Sequence, residues 1–386
     1  MRTIFAQIFS PIHQQQFGRC VKRYGGNYKI RHFSCWDQFL AMAFAQITFR
    51  ESLDDIEICL RSRQDQLYRM GFRSVVSRST LADANRERDW RIYAELAQIL
   101  IARARLLYAA EPMSVELEQS VYALDSTTID LCLSLFPWAR FRATKAAIKL
   151  HTLLDLRGPI PTMISISDGK MADVRVLDEF IPEPGAFYVM DRGYVDFDRL
   201  YGFVVAGAFF VTRNKVGIQF NRLESRPVDK STGLRSDHIV WLRLESSAKN
   251  YPDRLRRVSY RNPEDGKVLV FLTNNFDLPA LVIAQLYKSR WQVELFFKWI
   301  KQNLRIKHFF GNNANAVKTQ VWVAISVYVL VAILRKELRL EMSLSQVLQI
   351  LSVDVFEQVP MAELVTKAQS QAQTFDSHNQ LMLLDL

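Results

Sequence analysis

The hydrophobic period changes twice along this chain, which restricts it to a mixed fold with its strands in the middle. Up to about residue 110 apolar residues recur at helical spacing, as in "CWDQFLAMAFAQITF" (35 to 49) and "WRIYAELAQILIARARLLY" (90 to 108). "AAEPMSVELEQS" (109 to 120) holds a proline and little periodicity, so it reads as a linker. Short runs of Val, Tyr, Phe and Leu follow, first in "SVYALDSTTIDLCLSLF" and "AFYVMDRGYVDF". From 203 to 273 come "FVVAGAFFVTR", "HIVWLRLES", "LRRVSYR" and "KVLVFLTN", separated by polar turns. Pro279 then opens a long helix, as suits a proline in a first turn. The order predicts an α+β core with an all-β insertion.

With 386 residues, about half hydrophobic, the chain can bury a large core in two or three domains. Its net charge of +10 suits a polyanionic partner, although an ordinary basic protein would show the same balance. Residues 1 to 110 carry 17 Lys and Arg against 10 Asp and Glu, so +7 of the +10 lies there. Within that span, "SVVSRSTLADANRERDW" offers Ser77 or Ser79 as a helix cap, with Arg73, Arg78, Arg86 and Arg88 around it. This stretch, near 77 to 90, reads either as the recognition helix of a helix-turn-helix or as the polar face of a helical bundle.

Cys20, Cys35, Cys59 and Cys132 lie far apart without CxxC pairing, which indicates neither a zinc knuckle nor a disulfide framework. The first residues do not look like a signal peptide. The longest apolar run, "VWVAISVYVLVAIL" (321 to 334), is shorter than the ~20 residues a bilayer span needs and reads as a core helix. A cytoplasmic protein without a membrane segment is expected.

The stretch "YKSRWQVELFFKWIK" (287 to 301) reads as one helix. At helical spacing Tyr287, Arg290, Glu294, Lys298 and Lys301 share an arc of about 80°. Val293, Phe296, Phe297, Ile300 and Leu304 fill the adjoining arc of about 100°. Taken alone, Glu294 between Arg290 and Lys298 makes two exposed salt bridges. Two aspartates elsewhere favour another reading. Asp125 follows "VYAL" and Asp191 follows "FYVM", each at the end of a strand that reads as buried. A carboxylate there is costly unless it meets a cation or solvent. Two such carboxylates and one on a flanking helix form an acidic set suited to hard divalent cations beside a phosphate, with the basic stripe available for DNA.

The gaps between Tyr287, Arg290, Glu294 and Lys301 match the YREK signature of bacterial insertion-sequence DDE transposases of family four. "YALDSTTI" resembles that family's first-aspartate motif and "VMDRGYVDF" its second, so the resemblance covers most of the chain. It implies a ribonuclease H-like catalytic core at 120 to 340, interrupted by a β-rich insertion at about 205 to 270. An N-terminal all-helical DNA-binding domain (1 to 110) would precede the core; the C-terminal segment (341 to 386) matches no part of the family pattern and reads as helical, with dimerisation as an open role. Asp125, Asp191 and Glu294 would be the catalytic, metal-binding triad for two Mg²⁺ ions, with Mn²⁺ as a substitute. Tyr287, Arg290 and Lys301 would contact DNA phosphates, with Lys298 as an auxiliary cation. The implied enzyme binds terminal inverted repeats, cuts and joins double-stranded DNA through a hairpin, works as a homodimer, and is bacterial and nucleoid-associated. A catalytically silent DNA-binding regulator and a metal-dependent nuclease without strand transfer are the alternatives. Arg213 and Lys215 at a strand end, Trp241 in the β stretch, and His151 and His308 read mainly as structural.

Overall fold

Seven helices precede the first strand among the described residues of the structure, a computed structural model that describes residues 2–113, 115–304 and 308–367. They are α1 (Ile4–Ile8), α2 (Gln14–Arg23), α3 (Cys35–Ile47), α4 (Leu53–Arg61), α5 (Leu67–Met70), α6 (Arg78–Glu87) and α7 (Arg91–Tyr108). Ser34 and Ser52 open α3 and α4 in capping boxes with Asp37 and Asp55, which satisfies amide protons that a helix start leaves bare. Ser77 caps α6 by accepting from the Thr80 amide. All of α3 but Trp36 is buried, so this helix is the centre of the N-terminal bundle.

The strands are β1 (Val121–Leu131), β2 (Arg140–Arg142), β3 (Lys145–Asp155), β4 (Ile160–Asp168) and β5 (Phe187–Met190), then α8 (Phe197–Val205) and β6 (Phe209–Arg213). After these come β7 (Phe220–Arg226), β8 (Leu234–Leu242), α9 (Glu245–Asn250), β9 (Leu255–Arg261) and β10 (Val268–Thr273). They form one ten-stranded sheet ordered β2-β3-β1-β5-β6-β10-β9-β8-β7, with β4 on β3. The β1–β5 and β5–β6 pairs are parallel and the others antiparallel. All four residues of β5 are buried, as a parallel strand covered on both faces requires. The β-rich stretch is therefore continuous with the central strands: β6 pairs with β5, and β10 to β7 extend the same sheet.

The chain then runs through α10 (Ala280–Ser289), α11 (Trp291–Asn303), α12 (Ala314–Glu337) and α13 (Leu344–Val353), and residues 361–367 are again helical. The single helix expected across 287 to 301 breaks at Arg290 into α10 and α11. At the joint the backbone tightens to three-residue bonds, Arg290 N to Tyr287 O (3.2 Å) and Val293 N to Arg290 O (3.1 Å). Ser289 Oγ also bonds back to the Leu286 carbonyl.

Arg256 of β9 holds the start of α10 to the sheet. Its guanidinium forms a buried two-pronged pair with Asp237 of β8 (2.9 and 2.7 Å) and donates to the Leu278 carbonyl (2.6 Å), just ahead of Pro279. The helix α12 is long and apolar enough by composition to cross a bilayer, but it is buried inside the fold, consistent with the core reading of 321 to 334. Its apolar side chains each stabilise the fold by roughly 1.5–3 kcal/mol. Tyr108 of α7 donates to the Ala332 carbonyl (3.0 Å), and Tyr328 to Pro159 O in the β3–β4 turn (2.7 Å). Gly158 in that turn lies against the Tyr108 ring, where a Cβ would come within 2.1 Å of a ring carbon. The expected linker, as far as it is described, forms neither helix nor strand. One continuous core nevertheless runs from Ile4 to Val365 and joins the N-terminal helices to α12. Within 341 to 386, α13 and the chain to 367 pack on the rest of the protein, and residues 368 to 386 lie outside the described residues.

Candidate active site

The parallel register of β1 and β5 brings two carboxylates together, although only Asp191 follows the end of its strand: Asp125 lies within β1, which runs on to Leu131 because it stays paired with β3, and not at a strand end as expected. Leu124 lies opposite Met190 in that pair, so Asp125 and Asp191 are the next residues on neighbouring strands that run the same way. Thr212 of β6 steadies the Asp191 backbone by donating to its carbonyl (3.2 Å). In open sheets of this kind the crevice outside the carboxyl ends of the strands is where ligands bind.

The joint between α10 and α11 closes this crevice. Tyr287 donates its hydroxyl to Asp191 Oδ1 (3.1 Å). The Arg290 guanidinium bridges two acids, pairing through Nη1 with Asp125 Oδ2 and through Nη2 with Glu294 Oε1 (2.6 Å). Lys301, two helical turns beyond Glu294, donates to Thr127 Oγ1 (2.6 Å) and Thr128 O (3.0 Å) on β1. Six of the seven residues singled out in the sequence thus make contacts between the α10–α11 pair and the β1–β5 end of the sheet, in three groups: Tyr287 with Asp191, Arg290 with Asp125 and Glu294, and Lys301 with β1. The seventh, Lys298, is exposed on α11. Tyr287 is buried at 8 % exposure, its ring packed on Phe271 of β10 at 4.9 Å, so its hydroxyl faces Asp191 rather than the open surface.

Burial raises the Asp125 carboxyl above its ordinary value. The Arg290 guanidinium and the Ser126 amide oppose this, while Glu294 and Asp191 add to it. Burial would push Arg290 down, yet Asp125, Tyr287 and Glu294 hold it above its ordinary value. Burial also pushes the Tyr287 phenol up to about 12, against the pull of Arg290. This phenol therefore stays protonated at neutral pH and acts as a donor.

Beside Asp125 lies a second polar cluster. Asp173 Oδ1 accepts from Ser126 Oγ (2.8 Å) and Lys149 Nζ (3.0 Å), and His151 stands 3.9 Å away. His151 is fully buried with Nε2 on Ser167 Oγ (2.9 Å). The sequence offers no local sign of this group, because Asp173 is about fifty residues from Ser126 and only folding joins them. Elsewhere, Lys215 bonds to Val195 O (2.8 Å), and Trp241 is partly exposed at 36 %. On and beside α6, Arg86 pairs with Asp83 and Glu87, and Arg88 is buried against the carbonyls of Phe33 and Ser34.

Among the described residues no three of His, Cys, Asp and Glu converge into a ready-made metal cage. The donor chemistry of Asp125, Asp191 and Glu294 nonetheless fits a hard divalent cation, since all are carboxylates. That a guanidinium bridges two of them also shows that the crevice calls for positive charge.

Residues 116–330 match the family described as "Transposase DDE domain", and residues 1–73 match a "Domain of unknown function (DUF4372)". The chain belongs to the DDE transposase family, enzymes that act on DNA with the help of divalent metal. It is 32 % identical over 285 residues to a Sinorhizobium fredii protein named as transposase y4zB, covering 73 % of this chain and 78 % of that one. A Geobacillus stearothermophilus protein named as a transposase for insertion sequence element IS5377 is 29 % identical, over 65 % of this chain and 66 % of its own. A Synechocystis protein named as a transposase for insertion sequence element IS4SA is 26 % identical over 82 % of this chain and 88 % of its own.

Proposed function

We propose that this chain moves an insertion sequence by binding its terminal inverted repeats, cutting the DNA there and joining the freed ends to a target. The observation that carries this reading is the Arg290 bridge between Asp125 and Glu294, with Tyr287 on Asp191, which draws three carboxylates from distant parts of the chain to one crevice. Asp125, Asp191 and Glu294 are assigned as the catalytic and metal-binding residues. Mg²⁺ is the expected ion, as a pair. When bound, such ions activate a water or a 3′ hydroxyl and stabilise the leaving oxygen of an in-line displacement.

The chain's own groups have separate tasks. Asp125 and Asp191, on adjacent parallel strands, hold their carboxylates on a stiff base, and Tyr287 fixes the orientation of Asp191. Arg290 neutralises the crevice before DNA arrives and is placed to turn to a phosphate, as a planar fork of donors can. Lys298 on the exposed face of α11 serves the same backbone, and Lys301 holds α11 to β1 while adding positive charge. The strand order β4-β3-β1-β5-β6, with β5 and β6 parallel to β1, supports a ribonuclease H-like core. A hairpin intermediate and a homodimer that holds both ends complete the reading.

The test is to incubate purified protein with the DNA ends that flank its gene, a target plasmid and Mg²⁺, and to sequence the products. Joined products are expected from the wild type and not from Glu294→Gln, which should still bind the ends. Cleavage without new junctions would replace this reading with a nuclease, and binding without cleavage by either protein with a regulator.

A further inference from the structure

Residues 1–73 match a family whose function is not described, and they contain a groove whose chemistry can be read directly. Two cavities of about 670 and 530 Å³ share Gln14, Trp36 and Arg73 in their linings, so they are two lengths of one open trough between α2, the start of α3 and α5. Arg2 and Arg69 line one length, Lys22 the other, and Arg73 both. No Asp or Glu lines either. Among the described residues none of these four cations pairs with an acid: the guanidinium of Arg69 meets the neutral Gln358 (3.1 Å). Asp37 lies beneath, fully buried and engaged by Ser34 and by the Arg73 amide. An exposed tyrosine lines each length, Tyr68 at 86 % and Tyr28 at 75 % exposure.

The cations of α6 and its flank differ. Arg78 pairs with Asp54 (3.4 Å), Arg86 with Asp83 and Glu87, and Arg88 is buried. A surface that binds a polyanion needs cations that are not already neutralised, and the trough has them where α6 does not. We infer that the trough of Arg2, Lys22, Arg69 and Arg73 is the duplex-DNA surface of the 1–73 domain, and that it takes the phosphate backbone at the element's end, with Tyr28 and Tyr68 against the sugar–phosphate edge. This rests on the proposed transposase function and assigns its end-binding step to a surface.

The test uses the full chain and fluorescence anisotropy on labelled duplexes taken from the two DNA ends that flank its gene, with scrambled duplexes as controls, over a salt series. Lys22→Ala/Arg69→Ala/Arg73→Ala should weaken end binding at least about tenfold and lower the log–log salt slope by about 2 to 3, while Arg78→Ala/Arg86→Ala stays near wild type. A trough variant that binds with wild-type affinity and slope, or the loss appearing in the α6 variant instead, overturns the inference and leaves the transposase reading intact. Wild-type protein that ignores both end duplexes overturns both. Should the triple variant misfold, acetylation of wild-type Lys22 decides: protection by a saturating end duplex is expected, and unchanged labelling rejects the assignment.

Discussion

Asp125 would be an expensive residue without Arg290. It is largely buried, two other carboxylates raise its energy, and the guanidinium offsets that by meeting Asp125 and Glu294 together. Removing one partner of such a pair leaves an uncompensated charge. Arg290→Ala should therefore destabilise the protein by about 3 kcal/mol in urea unfolding without divalent cation. Asp125→Asn in the same background should restore most of that loss. If Arg290→Ala unfolds within about 0.5 kcal/mol of wild type, the charge-balancing role assigned to it is wrong.

The catalytic crevice also depends on how α10 is seated. Arg256 links β9 to β8 through Asp237 and to the Leu278 carbonyl, one residue before the proline that starts α10. The β-rich stretch thus holds the helix pair that carries Tyr287, Arg290 and Glu294. Arg256→Ala leaves Asp237 buried without its cation and frees the Leu278 carbonyl, and should cost about 3–5 kcal/mol. Replacing both partners with apolar residues of similar size should cost far less in the same denaturation experiment, because a buried pair is offset by its own desolvation. Equal losses from the single and double changes would show that packing, not charge, accounts for the contact.

Both ends of the described chain meet on the N-terminal bundle. The Ile4 and Phe5 amides donate to the carbonyls of Glu357 and Val355 (2.8 and 3.0 Å), and Gln7 bonds to Val359 O and the Met361 amide (2.7 and 2.9 Å). Val355, Met361 and Val365 are buried there, and Phe356 packs on Phe44. A chain stopped after residue 354 should lose at least about 3 kcal/mol, since it forfeits this burial together with the hydrogen bonds. It should also bind single ends more weakly, because α1 walls the trough. Unchanged thermal unfolding and unchanged end affinity in that truncation would show the segment to be dispensable.

Local periodicity was enough to tell helix from strand along most of this chain, because a residue's partners on one face lie three, four or two positions away. It placed Asp191 at a strand end and Glu294 on a helix with an apolar flank, and it marked 321 to 334 as core; it ended the first strand too early, at Asp125, because the polar stretch beyond it is held in β1 only by its pairing with β3. No window of sequence contains the register that sets Leu124 beside Met190, the break at Arg290 that separates α10 from α11, or the inward turn of Tyr287 onto Asp191. The same holds for Asp173, which reaches Ser126 and Lys149 only through the strand pairing that surrounds it. In "SVVSRSTLADANRERDW" the arginines look free as letters, yet Arg86 and Arg88 are engaged by acids and carbonyls, while Arg69 and Arg73 line an acid-free trough. Which cations stay available depends on contacts between residues far apart in the chain, and only the packed tertiary structure decides those.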